Sequence, residues 1–302
     1  MITIIRAALL SCCVWHSLVL AVDLPESDGA QYAIPTRIDH IGRIVVPVRI
    51  NDRGPFRLML DTGATHSVIT RGAAQRLDLD MDAAAPQSVQ GVMGRVTAPI
   101  ARISELRAGS LNLRNLTMPI IDGAVVTELD GILGAEGLAN KVVTADFIND
   151  RIKISDSAGL RPLRRYAVIK FDLVSQRLIV VDAMVGRHAV RAVIDTGGSE
   201  TIGNLPLLKA LTGGIRSVGP EPAMNVTDVT NTTQGGRVVL VPRIKLDVAT
   251  ITNAEIVLGD FEIFRVWKLD QRPALLIGMD VLGQLGELSI DYRRQELWIQ
   301  ER

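Results

Sequence analysis

The sequence predicts an all-β protein of two lobes, related by a pseudo-two-fold axis and carrying few, short helices. Three observations lead there. Apolar residues recur at short period and are rich in Val and Ile, the pattern of half-buried strands. Helical signals are brief, at Ala73–Leu77 and Leu205–Leu211. The chain also repeats itself: Ile44–Ile69 lies over Leu178–Gly203 without a gap, at an offset of 134, so that Asp61-Thr62-Gly63 falls on Asp195-Thr196-Gly197. Two copies are too few for a solenoid. They make a duplicated domain.

In chain order, residues 1–21 read as a secretory signal. Arg6 is the only charge, Ala7–Leu20 is apolar except for Ser11, His16 and Ser17, and Val19 and Ala21 supply the small residues of a cleavage site. The expectation is export, to a periplasm or to the medium, with an N-terminal membrane anchor as the alternative. Residues 22–160 form the expected N-terminal lobe, with strands at Ile44–Ile50, Arg57–Leu60, Val96–Ile103, Leu111–Ile121 and Ile152–Ile154. Asp156, Gly159 and Pro162 then break the apolar pattern between Ser155 and Arg165. Residues 161–302 answer with Leu178–Val185, Val190–Ile194, Val238–Leu246, Thr250–Leu258 and Glu296–Ile299. Two further triplets match across the halves. Gly94-Arg95-Val96 answers Gly236-Arg237-Val238, and Ile132-Leu133-Gly134 answers Leu276-Ile277-Gly278. No later segment approaches the ~20 apolar residues of a membrane span.

Composition removes several function classes. Among 302 residues, 33 Lys and Arg balance 33 Asp and Glu, which argues against a nucleic-acid partner. The only cysteines, Cys12 and Cys13, are adjacent and fall inside the signal, so no disulfide framework or cysteine zinc site is expected. The four histidines form no HExxH, and no metal or other cofactor is expected. The glycines of Gly131–Gly137 have the wrong spacing for a dinucleotide loop. Gly197-Gly198-Ser199 is not a GxSxG elbow.

The repeated Asp-Thr-Gly carries the chemistry. One copy is explained by a turn, since Asp and Gly favour turns. Two copies, each after an apolar strand at one repeat position, point to paired carboxylates. Two carboxylates about a water apart do not both ionise readily, so one keeps its proton. The ionised member can take a proton from a water while the protonated member donates to a carbonyl oxygen. Gly63 and Gly197 permit a sharp loop whose N–H groups reach the carboxylates. The hydroxyls of Thr62 and Thr196 can bond to the opposite loop.

With these residues in place, Leu60-Asp61-Thr62-Gly63-Ala64-Thr65-His66-Ser67-Val68 resembles the active-site loop of retropepsin-like aspartic proteases. Ile132-Leu133-Gly134 resembles the apolar-apolar-Gly signature behind that loop, and the second half repeats both. The chain is similar to a covalent version of the retroviral dimer, as in the pepsin family, but with shorter halves. The resemblance implies an aspartic endopeptidase acting on peptide or protein substrates, able to work as a monomer. It implies Asp61 and Asp195 as the catalytic dyad, with Thr62 and Thr196 as a cross-loop grip. Gly63, Gly197, Gly134 and Gly278 would support the dyad. Gly91, Val92, Met93 and Gly94, within Ser88–Thr97, would form a substrate-binding flap, with Val226–Val238 as its counterpart. The alternative function is a peptide-binding protein that keeps the fold without turnover.

The chain departs from the family pattern in three places. Gly198 stands where the family usually has Ser, Thr or Ala, no Tyr lies between Asp61 and Gly134, and no basic pro-segment precedes the first strand. Ala64 and Gly198 offer no hydroxyl donor to a carboxylate, so the dyad is expected to work at milder acidity than pepsin. His66, whose repeat partner is Glu200, is expected to face solvent. Asp146 and Asp291 are expected at turns or strand edges, not as a second dyad. Asn115, Asn225 and Asn231 open N-x-[ST] sequons.

Overall fold

Six strands build the first sheet, in the order Val68–Ile69, Gly131–Leu133, Arg53–Leu60, Val45–Ile50, Ile100–Ala108, Leu111–Pro119. Alternation along Val45–Ile50 puts Val46, Val48 and Ile50 into the core, where Ile103 and Leu106 of Ile100–Ala108 are also buried. The computed structural model describes residues 34–35, 42–81, 85–123, 126–174, 177–213, 223–247 and 249–302, all within one compact unit of residues 31–302. The signal reading over residues 1–21, with both cysteines, lies outside the described residues. No helix among them is long and apolar enough to cross a membrane.

The second half builds an eight-stranded sheet: Asp172–Val174, Leu178–Val185, His188–Ile194, Ala274–Ile277, Ile202–Gly203, Ala249–Leu258, Thr233–Leu246, Ala223–Thr227. Met184 and Val185 pair back to Lys245 and Ile244, folding the sheet onto itself. The two sheets share one connectivity. In each, the strand leading to Asp-Thr-Gly runs parallel to the strand of the apolar-apolar-Gly motif. Leu58–Leu60 pairs with Gly131–Leu133, and Arg191–Ile194 with Ala274–Ile277.

A third sheet joins the halves, in the order Ile34–Pro35, Arg151–Asp156, Lys141–Asp146, Glu287–Asp291, Glu296–Gln300, Ala167–Lys170. Its central pair, Lys141–Asp146 against Glu287–Asp291, is centred on Thr144 opposite Ser289. Each stands two residues before the aspartate, Asp146 or Asp291, that caps an equivalent hairpin turn, and their hydroxyls bond at 2.8 Å. The local two-fold therefore passes between them. Val143, Ile154, Ile290 and Leu297 continue the main core across this joint.

The helices are short and capped alike. Thr70 accepts from Ala73 N at the start of Arg71–Arg76, and Asn204, its repeat counterpart, accepts from Leu207 N at the start of Leu205–Thr212. Glu262–Val266 and Met279–Leu282 add helical turns that the apolar pattern does not announce. The strand expected over Val96–Ile103 is two strands, Arg95–Ala98 and Ile100–Ala108, because Pro99 between them has no N–H to give to a ladder. The triplet match of Gly94-Arg95-Val96 to Gly236-Arg237-Val238 is also corrected. Gly94 sits at a hairpin tip, whereas Gly236 lies inside the strand Thr233–Leu246.

Candidate active site

Asp61 and Asp195 each leave the end of a buried strand and are caught by the neighbouring one. Asp61 N donates to Leu133 O and Asp195 N to Ile277 O, both at 3.0 Å. These bonds are the direct consequence of the parallel pairing, which brings each apolar-apolar-Gly motif alongside an aspartate. The structure thus brings Asp61, Thr62, Gly63, Asp195, Thr196, Gly197, Gly134 and Gly278 into one place.

The threonines interlock across the local axis. Thr62 Oγ1 donates to Ile194 O at 2.7 Å and accepts from Thr196 N at 3.1 Å. Thr196 Oγ1 donates to Leu60 O at 2.8 Å and accepts from Thr62 N at 3.2 Å. Both side chains are buried. This grip sets the spacing of the carboxylates, and glycine lets them close. A Cβ on Gly63 would stand 2.8 Å from Asp195 Oδ1, and one on Gly197 would collide with the Asp61 carboxyl.

Each carboxylate is cradled by its own loop. Asp61 Oδ1 accepts from Gly63 N at 2.8 Å and Ala64 N at 2.9 Å. Asp195 Oδ1 accepts from Gly197 N at 2.9 Å. Burial pushes Asp61 well above the ordinary carboxylate value of 3.8, helped by the charge and hydrogen bond of Asp195 and opposed by the N–H groups of Ala64 and Gly63. Burial also raises Asp195, against the N–H groups of Gly197, Gly198 and Gly63 and the hydrogen bond from Asp61. Both carboxyls are thus raised above an isolated Asp, Asp61 the more strongly. The Gly198 N–H also favours the Asp195 carboxylate, so lacking a side chain does not strip it of backbone support.

A second layer supports the loops, and sequence reasoning overlooked it. Ser67 Oγ accepts from Gly134 N at 3.0 Å while Ser67 N donates to Glu136 Oε1 at 2.6 Å. In the other half Thr201 Oγ1 accepts from Gly278 N at 3.1 Å, and Thr201 N and Oγ1 donate to Asp280 at 2.9 and 2.7 Å. The available signal was an acidic residue two places after each motif glycine. Gly134 and Gly278 have no room for a side chain. A Cβ there would lie 2.6 Å from the His66 carbonyl carbon or the Glu200 oxygen.

The hairpin Gln87–Gln90 and Arg95–Ala98 closes over this floor, with Gly91, Val92, Met93 and Gly94 at its tip. The hairpin Ala223–Thr227 and Thr233–Leu246 comes from the other half. The tips meet where Met93 N donates to Asp228 Oδ2 at 2.8 Å, and Val92 O accepts from Ile263 N of the helix Glu262–Val266 at 3.0 Å. Asp228 is buried and also takes Thr230 N and Oγ1, so the carboxylate braces its own turn while holding the opposite tip. Under the hairpins lies a cleft of about 550 Å³, lined by both aspartates and by Val68, Ile132, Ile202 and Leu276.

The other singled-out residues lie elsewhere in function. His66 is exposed on the cleft rim. Asp146 caps a turn through Ile148 N and Asn149 N. Asp291 is fully buried and caps Arg293 N and Arg294 N, with Ser157 Oγ and the Arg294 guanidinium also on its carboxylate. The family described as aspartyl protease matches this chain over residues 46–136, a span that runs from the strand before Asp61 through the first hairpin tip to Glu136. No curated protein matches the chain.

Proposed function

We propose that this chain is an exported aspartic endopeptidase whose lobes, residues 22–160 and 161–302, each contribute one aspartate to a shared cleft. The observation that carries the reading is the Asp61–Asp195 pair: two carboxylates from equivalent loops, joined by the Thr62–Thr196 grip and both raised above the ordinary carboxylate value. The aspartyl protease match over the first half supports hydrolysis in general. Aspartic proteases are the standard instance of two Asp sharing one proton, so the mechanism applies a known pattern to this geometry.

Asp195 acts as general base and takes a proton from a water placed between the carboxylates. The water oxygen attacks the peptide carbonyl carbon, and Asp61 gives its proton to the carbonyl oxygen. A neutral gem-diol results, and the pair still holds one proton. That proton then passes to the amide nitrogen. The C–N bond breaks, and a diol proton returns to the dyad as the new carboxyl forms. No covalent intermediate arises. The hairpin tips exclude bulk water while the apolar cleft walls take side chains on either side of the bond.

The test is a peptide-library digest with the wild type beside Asp61→Asn and Asp195→Asn. Cleavage by the wild type and its loss in both variants is expected. Cleavage that survives either change overturns the dyad assignment. Peptide binding with no cleavage by the wild type replaces catalysis with a peptide-capture function.

A further inference from the structure

The two halves of the cleft are not chemically equal, and the difference sits at one repeat position. Five residues beyond each aspartate stand His66 and Glu200, and both line the cleft. On the first-half side the charges are mixed: Arg177 Nη1 donates to Thr65 O at 2.5 Å, next to His66, and the buried Glu136 carboxylate takes Ser67 N. On the second-half side they are acidic, with Glu200 beside Asp280. Asp280 is occupied, its oxygens taken by Thr201 N, Thr201 Oγ1 and Val281 N. Glu200 is not. Its side chain is partly buried, it makes no ion pair with a described residue, and the charge acting on it is that of Asp280. Partial burial beside a like charge disfavours a carboxylate, and an incoming cation relieves both penalties.

We infer that Glu200 is a specificity-determining residue that selects a Lys or Arg side chain of the substrate on the second-half side of the scissile bond. This rests on the reading of the cleft as a peptide site. The flanking Leu276, Ile202 and Trp267 supply apolar wall, which suits the long methylene stems of Lys and Arg while their heads reach the carboxylate. At the equivalent place on the first-half side stands His66, which offers no carboxylate to a cation. A cleft built on a near-symmetric frame thereby acquires a direction, because only one way of laying the peptide puts its cation against Glu200. A charge-assisted contact of this kind discriminates Lys from Gln by about tenfold to a hundredfold in kcat/KM.

The experiment places Lys, Gln or Glu at each of the three positions on either side of the bond in a cleaved library peptide. The wild type is expected to prefer Lys over Gln by about tenfold or more at one position, on one side only. In Glu200→Gln that Lys-to-Gln ratio should fall to near one, and in Glu200→Lys the preference should pass to Glu. A ratio within one preparation does not depend on the folded fraction. A flat profile at all six positions, or a Lys preference that survives Glu200→Gln, overturns the assignment. Should the wild type cleave nothing, the same peptides are titrated by fluorescence anisotropy. A Glu200-dependent Lys preference in binding then sustains the inference while catalysis fails, and binding without preference, or no binding, overturns it.

Discussion

Replacing Thr62 by valine removes one hydroxyl from the grip and leaves its shape. That hydroxyl serves Ile194 O at 2.7 Å and Thr196 N at 3.1 Å, in a place where Thr62 and Thr196 are each 1% exposed. Thr62→Val therefore takes away the partners of one buried carbonyl and one buried N–H. Each such orphan costs about 1–3 kcal/mol, so the variant should lose about 2–6 kcal/mol. For a chain of this size 1 kcal/mol lowers Tm by about 2–4 °C, and the expected fall is on the order of 10 °C. Thr62→Ser keeps the hydroxyl and gives up one methyl, a loss of about 1 kcal/mol. Thr196→Val should resemble Thr62→Val, since its bonds to Leu60 O and Thr62 N mirror the first pair. Thermal unfolding followed by circular dichroism compares the three. A Thr62→Val protein within about 2 °C of the wild type, or a serine variant as damaged as the valine one, refutes the claim that these bonds hold the loops together.

Four other perturbations follow from the same geometry. Asp61 is raised above 3.8, so between that value and its folded value the native chain holds a proton the unfolded chain has released. Stability falls as pH rises through this window; Asp61→Asn should thus be more stable than wild type at pH 7, with an advantage that vanishes below the ordinary carboxylate value, and a pH-independent difference in unfolding free energy would contradict the shift. By the same shifts the wild-type cleavage rate should peak above pH 3.8, since both members of the pair are raised, and a maximum in strongly acid buffer would be inconsistent with them. Asp228→Ala breaks the contact between the hairpin tips, and steady-state kinetics should show KM rising about tenfold with a smaller change in kcat; an unchanged KM means the contact does not help close the cleft over substrate. Tyr292 carries a buried hydroxyl without a partner among the described residues, and burial together with the charge of Asp61 pushes its pKa up. Tyr292→Phe keeps the ring and should leave Tm unchanged or a few degrees higher, roughly the release of one unsatisfied hydroxyl, whereas a clear drop would reveal a bonding partner.

Much of the fold was legible because the repeat and the strands are written in local pattern. Leu178–Val185 has the bounds its apolar run suggests, and Val45–Ile50 and Ala249–Leu258 differ from expectation by one residue. The joining sheet was legible only in Arg151–Asp156 and Glu296–Gln300, not in its central pair. Lys141–Asp146 and Glu287–Asp291 are short, and what makes them strands is each other, nearly half a chain away. The site divides the same way. Asp-Thr-Gly at one repeat position announces a paired constellation, and the structure brings both copies together. Asp228 gave no such signal. Its reach to Met93 depends on two hairpins curving toward one another, and nothing in either sequence segment encodes the meeting. Glu136 and Asp280 were visible in principle, but an acidic residue after a glycine motif acquires meaning only when Ser67 and Thr201 are seen to donate to it.

The central claim is that Asp61 and Asp195 act as one unit, and the direct measurement is a double-mutant comparison of peptide cleavage. Wild type, Asp61→Asn, Asp195→Asn and the doubly substituted chain are assayed on one peptide at one pH, each after its folded fraction has been checked. Residues that work as a unit are far from additive. Each single variant should lose on the order of a thousandfold or more in kcat, and the double variant should lose no more than the weaker single. If either single variant keeps substantial activity, or if the two losses multiply in the double variant, the aspartates do not share one proton in one reaction and the account is wrong.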